Sequence, residues 1–298
     1  MSKPQISVVI INKNDRGIAD TLKAMREIRA PLPVEVVVVD ASEGKLDDIA
    51  AQFPEVRWIA FASRTGRRFT IPEQRNTGVE EAEGDIIAFT DANCVPNADW
   101  LELLVNPIIN EDEEMVAGST VSKGASTIYD QDHDHRKGQK YIRECPTINL
   151  AFKRETYARI GGFDERFDYG SDVDFSWRAN DLGIKVRYVP EAIVAHDWGN
   201  TTENVKRSYR YGVARCRLYK KHPKRWPQAF THDIVTVVYP LYILGLPLTI
   251  WFWPYPLLIL IPLARNLRHK PLQVLKNHLI YGVGVLRELL RFSPNRKK

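Results

Sequence analysis

Four short apolar runs constrain this chain more than any other feature. "ISVVII" (6–11), "VEVVVVDAS" (34–42), "VRWIAFA" (56–62) and "DIIAFTDA" (85–92) follow one another with helix-like segments between them. A strand buried on both faces reads as a near-continuous apolar run rather than as an alternation. In "GIADTLKAMREI" (17–28), Ile18, Leu22, Met25 and Ile28 recur at helical spacing; "LDDIAAQF" (46–53) reads as a short helix, and "IPEQRNTGVEEA" (71–82) as one that stops at Gly84. Strands alternating with helices at this spacing predict a parallel, doubly wound α/β sheet. Such sheets bind ligands beyond the carboxyl ends of their strands. Asp40 and Asp91 stand at two of those ends.

After Trp100 the rhythm changes. A helix over about 99–110 precedes a strand at "MVAGSTV", and the loop "GASTIYDQDHDHRKGQK" follows. "TINLAFKRETYARIGGF" reads as a strand and then a helix with a glycine stop, "GSDVDFSWRANDLG" as a helix N-terminus with its helix, and "KVRYVPEAIVAHD" as a late strand pair. The 298 residues allow one large domain or two, and 44% apolar content supports a sizeable core. Cys94, Cys145 and Cys216 are odd in number and widely spaced, without CxxC or zinc spacing. That pattern predicts free thiols in a reducing compartment. "MSKPQISVVIINKN" lacks the layout of a signal peptide.

The net charge of +5 is modest but unevenly placed. Residues 206–225 hold nine Lys or Arg and no acid, and residues 265–298 hold nine against Glu288 alone. Between them residues 234–264 carry no charge over 31 positions. Spanning a bilayer takes about 20 apolar residues per helix. The run is long for one span, short for two, and interrupted by Pro240, Pro247, Pro254, Pro256 and Pro262. A buried core segment is one reading. A re-entrant or in-plane hairpin, with Trp251-Phe252-Trp253 at the interface and basic flanks on anionic lipid, accounts for more of the pattern. "HLIYGVGVLRELLRF" (278–292) adds a helix suited to the interface plane. The composition shift near Asp233 therefore divides a domain of residues 1–232 from a membrane-associated segment of residues 233–298. Few aromatics interleave with the basic block, so lipid headgroups suit it better than nucleic acid.

Chemistry concentrates in "FTDANCVP" (89–96). A turn uses Asp and Asn without further purpose; a metal–diphosphate site uses them too, but with two acids for preference. No GxGxxG opens the first helix and no P-loop occurs, which argues against a dehydrogenase or a nucleotidyltransferase. "DQDHDHRKG" (130–138) fits a solvated loop over a site better than a metal cluster.

Taken in order, "SVVIINKND", "VVVVDAS", "QRNTGVEEAEGDIIAFTDANCVP", "NLAFKRETYARIGGFDERF", "GSDVDFSWRANDLGIKVRYVP" and "VAH" resemble the family 2 inverting glycosyltransferases of GT-A fold. The resemblance covers residue 6 to about 215. It implies a Rossmann-like sheet with a nucleotide-binding half of about 1–98 and an acceptor half of about 99–232. "TDANCVP" is similar to that family's "TDADCVP", with Asn93 in place of the second acid. The resemblance assigns Ile11, Asn14, Asp40, Arg75, Asn76 and Asp91 to the nucleotide-sugar donor. It assigns Asp91, Asn93 and His196 to Mn2+ or Mg2+. "YGSDVDFSWR" is similar to "GEDVDLSWR", which makes Asp172 the general base and leaves Ser171 where a Glu is common. Asn149, Trp177 and Arg178 fall in the acceptor region.

The implied reaction is transfer of a single sugar with inversion, since the QxxRW-like signature of the processive synthases is missing from "SYRYGVARCRLY". The hydrophobic segment implies an acceptor at the cytoplasmic face of the cell membrane, either a lipid-linked saccharide or a growing surface glycan. Asn93 and Ser171 keep an alternative open: a catalytically weak or inactive GT-A module that binds nucleotide-sugar or scaffolds a membrane complex. An ionised Asp172 at a helix N-terminus is also expected, with Ser171 as the cap and no neighbouring Glu to raise the carboxyl pKa.

Overall fold

The computed structural model describes residues 4–64, 66, 70–123, 136, 138–197, 201–265 and 271–291. The loop 124–135 therefore lies outside the described residues, and with it most of the expected lid. The chain divides into two compact units, 1–198 and 199–298. The division falls ahead of the composition shift near Asp233, because the basic helix from Thr201 joins the C-terminal helices rather than the sheet.

The first unit is built on β1 (Ile6–Asn12), with β2 (Val34–Asp40) on one side and β4 (Ile86–Asp91) on the other, all parallel. β3 (Arg57–Ala60) extends the parallel half beyond β2. Beyond β4 the sheet becomes mixed. β8 (Leu150–Lys153) runs antiparallel to β4 and to β6 (Met115–Ser122), which pairs in parallel with β9 (Val186–His196). β5 (Cys94–Pro96) and β7 (Tyr141–Ile142) pair antiparallel with β9. The order is β3-β2-β1-β4-β8-β6-β9-β5, with β7 also on β9. The expected mostly parallel sheet is thus continuously parallel over β3, β2, β1 and β4 and mixed beyond them, where β6 and β9 form a further parallel pair. Leu150-Ala151-Phe152 is buried on both faces, and such a run looks the same in either direction. The expected late strand pair is one strand, β9, whose register against β6 jumps from Gly118↔Val189 to Ser119↔Ile193.

Successive β1 side chains point to opposite faces, as strand geometry requires. Val8 and Ile10 join one core with α1 (Ile18–Met25), α2 (Asp47–Ala50) and α4 (Trp100–Asn110). Val9 joins the other core, with α3 (Ile71–Glu81), α5 (Arg154–Ile160) and α6 (Ser171–Asp181). Helices cover both faces, which is the doubly wound arrangement the apolar runs imply.

The second unit is helical: α7 (Thr201–Lys221), α8 (Trp226–Thr231), α9 (Val235–Gly245), α10 (Leu260–Arg265) and α11 (Pro271–Leu290). α7 and α11 approach at backbone distance. A Cβ on Gly284 would stand 2.3 Å from the Tyr209 carbonyl oxygen. Between α9 and α10 the chain makes two 3-10 turns, Leu246–Ile250 and Tyr255–Ile259. Tyr242 and Tyr255 stack with centroids 5.6 Å apart; the Tyr255 hydroxyl donates to the Tyr242 carbonyl at 3.1 Å, and the Tyr242 hydroxyl to that of Pro256 at 3.1 Å. These contacts close 242–256 into a hairpin. At its tip Trp251 and Trp253 are 80% and 75% exposed. Among the described residues no single helix is long and apolar enough to cross a membrane; Pro223–Thr231 with Val235–Ile250 would be so together, but the pair is bent by 80°.

Candidate functional site

The parallel strands place the expected donor residues side by side. Ile11 is in register with Asp91 across β1 and β4, and Asn12 with Asp40 across β1 and β2. The loop after β1 is tied to the end of β2. Ser42 Oγ donates to Asp40 Oδ1 at 2.6 Å and accepts from the Asn14 backbone N–H at 2.6 Å. Asn14 sits at φ 59°, a left-handed conformation that Asn tolerates better than most residues.

The turn after β4 has the same character, with Asn93 at φ 62°. Gly17 makes room for it: a Cβ there would lie 2.7 Å from Asn93 Oδ1. Beyond the turn, Cys94 is in register with His196 on β9. The pairing thus sets His196 beside the residue that follows Asn93. The turn and ligand readings of "TDANCVP" meet in a single residue, because the left-handed position selects Asn or Asp and both carry an oxygen donor. Among the described residues no group of three or more His, Cys, Asp or Glu is placed to hold a metal. The available set is one carboxylate, one amide oxygen and one imidazole. A hard divalent cation takes about six ligands, mostly oxygen. This set fits an ion that arrives with diphosphate oxygens rather than one held by protein alone.

Helix α3 lies against β1, and Gly78 allows it: a Cβ there would come 2.3 Å from Val9 Cγ1. The close approach explains why its polar residues are buried. In the amide orientation its neighbours dictate, Gln74 donates to the carbonyls of Asn12 and Val39 at 3.0 and 3.2 Å and accepts from Thr70 Oγ1 at 2.9 Å. Gln74 thereby locks α3 to the ends of β1 and β2, where Asp40 sits.

Arg75 is engaged within the fold. It is 7% exposed, its Nη1 donates to Ser171 Oγ at 3.0 Å, and its guanidinium carbon lies 5.6 Å from the Phe163 ring centroid. Asn76 is engaged on both sides of its amide. Nδ2 donates to the Phe163 carbonyl and to Glu165 Oε1, both at 2.9 Å, while Oδ1 accepts from the Tyr157 hydroxyl and the Phe163 N–H. Its observed work is to pin the 163–165 loop, which sequence spacing does not reveal.

α6 carries the expected base. The cap position belongs to Gly170 at φ 81°, not to Ser171, whose hydroxyl is taken by Arg75. Asp172 lies in the first turn, and its Oδ1 accepts from the Val173 N–H at 2.9 Å. Burial pushes the Asp172 carboxyl above the usual carboxylate range, with Glu144 adding a like charge. Arg75 and the helix N–H groups pull the other way. Ser171 brings no like charge beside Asp172, but burial raises the carboxyl all the same, and Glu144 supplies a like charge from another part of the chain.

The three expected acceptor residues serve inside the fold. Asn149 is 1% exposed; its Nδ2 donates to the Ser119 and Ala192 carbonyls at 2.7 and 2.8 Å, and its Oδ1 accepts from Trp100 Nε1 at 2.8 Å. An amide so occupied has no face left for an acceptor. Trp177 is buried and donates from Nε1 to Glu144 Oε2 at 3.1 Å. Arg178 pairs with buried Asp174 at 2.8 Å and donates to the carbonyls of Ile160 and Gly162, both at 2.6 Å. It fixes the αL turn after α5.

Acids at the carboxyl ends of β2 and β4, on either side of β1, and a carboxylate on the first turn of α6 are the groups a group-transfer enzyme on such a sheet would use. The sequence pattern of glycosyl transferase family 2 matches residues 7–169, and the chain belongs to that family. It is 26% identical over 242 residues to the pre-mycofactocin glycosyltransferase of Mycobacterium tuberculosis, covering 75% of this chain and 49% of the relative. It is 27% identical over 226 residues to the glycosyltransferase AglE of Haloferax volcanii, covering 72% of this chain and 74% of AglE. The chain thus spans about half the length of the mycobacterial relative. Its fold matches that of the mannosyltransferase PcManGT of Pyrobaculum calidifontis, solved with GDP-Man and Mn2+, at a TM-score of 0.69 and 20% identity over 98% of this chain and 89% of the other.

Proposed function

We propose that the protein transfers one sugar from a nucleotide-sugar to an acceptor hydroxyl, with inversion, at the cytoplasmic face of the cell membrane. The observation that carries this reading is Asp172: a carboxylate on the first turn of α6, raised by desolvation and offset by Arg75. A base poised above the ordinary carboxylate range accepts a proton more readily near neutral pH. The acceptor oxygen attacks the anomeric carbon and its proton passes to Asp172. The bond from that carbon to the diphosphate oxygen breaks, and its electron pair leaves with the diphosphate.

Ile11, Asn14 and Asp40 stand where a nucleoside would lie across β1 and β2. Asp91, Asn93 and His196 would hold Mn2+ or Mg2+ together with the diphosphate; when bound, that ion neutralises charge on the leaving group. The acceptor is a lipid-linked saccharide or a surface glycan. The support for this is the charge-free run of residues 234–264 and the exposed tip around Trp251 and Trp253. Exposed apolar surface of this extent marks an interaction site, and tryptophan suits a membrane interface.

The test is a panel of nucleotide-sugars offered to the full chain in detergent, with and without Mn2+, read by thermal stabilisation and by donor hydrolysis. One donor class should raise the melting temperature, since a ligand that binds the folded state stabilises it by mass action. Neither stabilisation nor hydrolysis with any donor would overturn the proposal.

A further inference from the structure

The pair formed by Arg75 and Ser171 is unusual for a protein interior. Arg75 is 7% exposed and Ser171 1% exposed. The side-chain contact between them is a 3.0 Å hydrogen bond from Nη1 to a neutral hydroxyl. Arg75 Nε is buried with no hydrogen-bond partner. Burying a guanidinium is costly unless it is paired with a carboxylate or used. The residue it touches precedes Asp172, on the first turn of α6. Two further contacts fix its place: Phe163 beneath the guanidinium at 5.6 Å, and Asn76, one residue on, holding the Phe163 backbone on both its N–H and its carbonyl. The α3 end of this linkage is anchored to the sheet, through Gln74 and the close approach at Gly78.

We propose that Arg75 is a positioning residue of the transfer step, holding the first turn of α6 through Ser171 and serving as the fixed countercharge of Asp172 rather than as a clamp on the donor diphosphate. The inference rests on the reading of Asp172 as the base. Opposite charge reaches Asp172 from α3 through Arg75, and like charge from Glu144 in the segment before β8. Asp174, on the same helix, is occupied by Arg178 at 2.8 Å. With a carboxylate at position 171 the guanidinium would have a partner of its own; with Ser171 its charge acts on Asp172. The base is thereby kept ionised in a desolvated place by a charge held on Ser171, beside the Val173 N–H from which Asp172 Oδ1 already accepts.

The experiment needs no substrate. The full chain in detergent is labelled with carboxyl-13C aspartate, and the Asp172 resonance is identified by its loss in Asp172→Asn. Its titration midpoint is then compared in wild type, Arg75→Gln and Arg75→Lys. The midpoint should rise by about 1–3 pH units in Arg75→Gln, the range an adjacent arginine imposes on an aspartate, and should return toward wild type in Arg75→Lys. An unmoved midpoint in Arg75→Gln, or a midpoint in Arg75→Lys as high as in Arg75→Gln, overturns the countercharge role. Should Arg75→Gln fail to fold, Arg75→Met decides: it keeps the length of the side chain and removes its charge. The Asp172 midpoint must then rise, and an unchanged value overturns the proposal. Transfer activity of Asp172→Asn tests the base assignment separately, so the two can fail independently.

Discussion

The two units put their polar and apolar side chains to opposite uses. In the first, many polar side chains go inside and brace the fold. Gln74, Asn76, Asn149 and Arg178 each make several hydrogen bonds to backbone in or beside the sheet. Large apolar side chains are exposed there only at Ile109, Tyr141 and Leu182 among the described residues. In the second unit the exposed set includes Leu241, Leu244, Ile250, Trp251, Phe252, Trp253, Leu257 and Ile261. Water-exposed loops gain little from such residues, whereas a precise polar lattice is what a catalytic edge needs. The contrast separates a part that holds reacting groups still from a part with apolar surface to give away.

The sharpest way to break this contrast is Asp172→Asn. Transfer should fall by about 10²–10⁴-fold, the usual contribution of a general base, with donor binding retained. The same change should raise the melting temperature at neutral pH. Burial lifts the folded-state pKa of Asp172 above its unfolded value. Its stabilising contribution is therefore complete below the ordinary carboxylate range and is lost as pH rises through the raised value. The advantage of Asn should accordingly vanish in acid. Turnover assays and melts across pH check both halves, and wild-type turnover by the mutant would remove the base.

The second unit is tested by replacing Trp251 and Trp253 with Ser. If the tip enters lipid, affinity for anionic vesicles should drop about tenfold for each tryptophan, as expected for an apolar side chain no longer buried. Nucleotide-sugar binding should not change. Vesicle co-sedimentation in high salt reads the apolar part alone, since salt screens the basic flanks and not insertion. Equal binding by wild type and mutant would leave the tip with no membrane role.

Asn149→Ala sharpens the reassignment of the acceptor residues. It strands two buried carbonyls and the Trp100 indole N–H, and each unsatisfied group costs about 1–3 kcal/mol. A large fall in melting temperature is expected, with the acceptor KM of the folded fraction unmoved. A raised KM at unchanged stability would restore Asn149 to the acceptor site. The smallest effect belongs to Asn93→Asp. The backbone at φ 62° accepts Asp as it accepts Asn, so the substitution adds a charged oxygen without strain. Mn2+ or Mg2+ should bind a few-fold tighter in the presence of a nucleoside diphosphate, read by calorimetry. Full activity in chelator would end the metal reading.

Much of the first half of the fold was legible because buried parallel strands write themselves as unbroken apolar runs. Asp40 and Asp91 were legible as edge residues for the same reason: a charge at the end of such a run can only lie where the strand leaves the core. The second half was less so. Nothing in Leu150-Ala151-Phe152 records strand direction, and the three-residue β5 is too short for any period to show. The site was half visible. Asp172 and His196 stood out by motif, while Gln74, Ser42 and Glu144 had no local signal, since each matters through a partner far away in the chain.

By itself the sequence determined the alternation of strands and helices, the acids at the strand ends, the left-handed turns that favour Asn14 and Asn93, and the charge-free run after Asp233. These are local properties of spacing, backbone preference and composition. Only the tertiary structure decided which polar residues hold the frame. Asn149 and Arg178 look like ligand contacts in one dimension and are internal braces in three, because a buried amide or guanidinium must be satisfied by whatever backbone surrounds it. It likewise decided the state of Asp172. Desolvation, Glu144 and Arg75 reach that carboxyl through space, and electrostatic effects depend on distance and burial rather than on position along the chain.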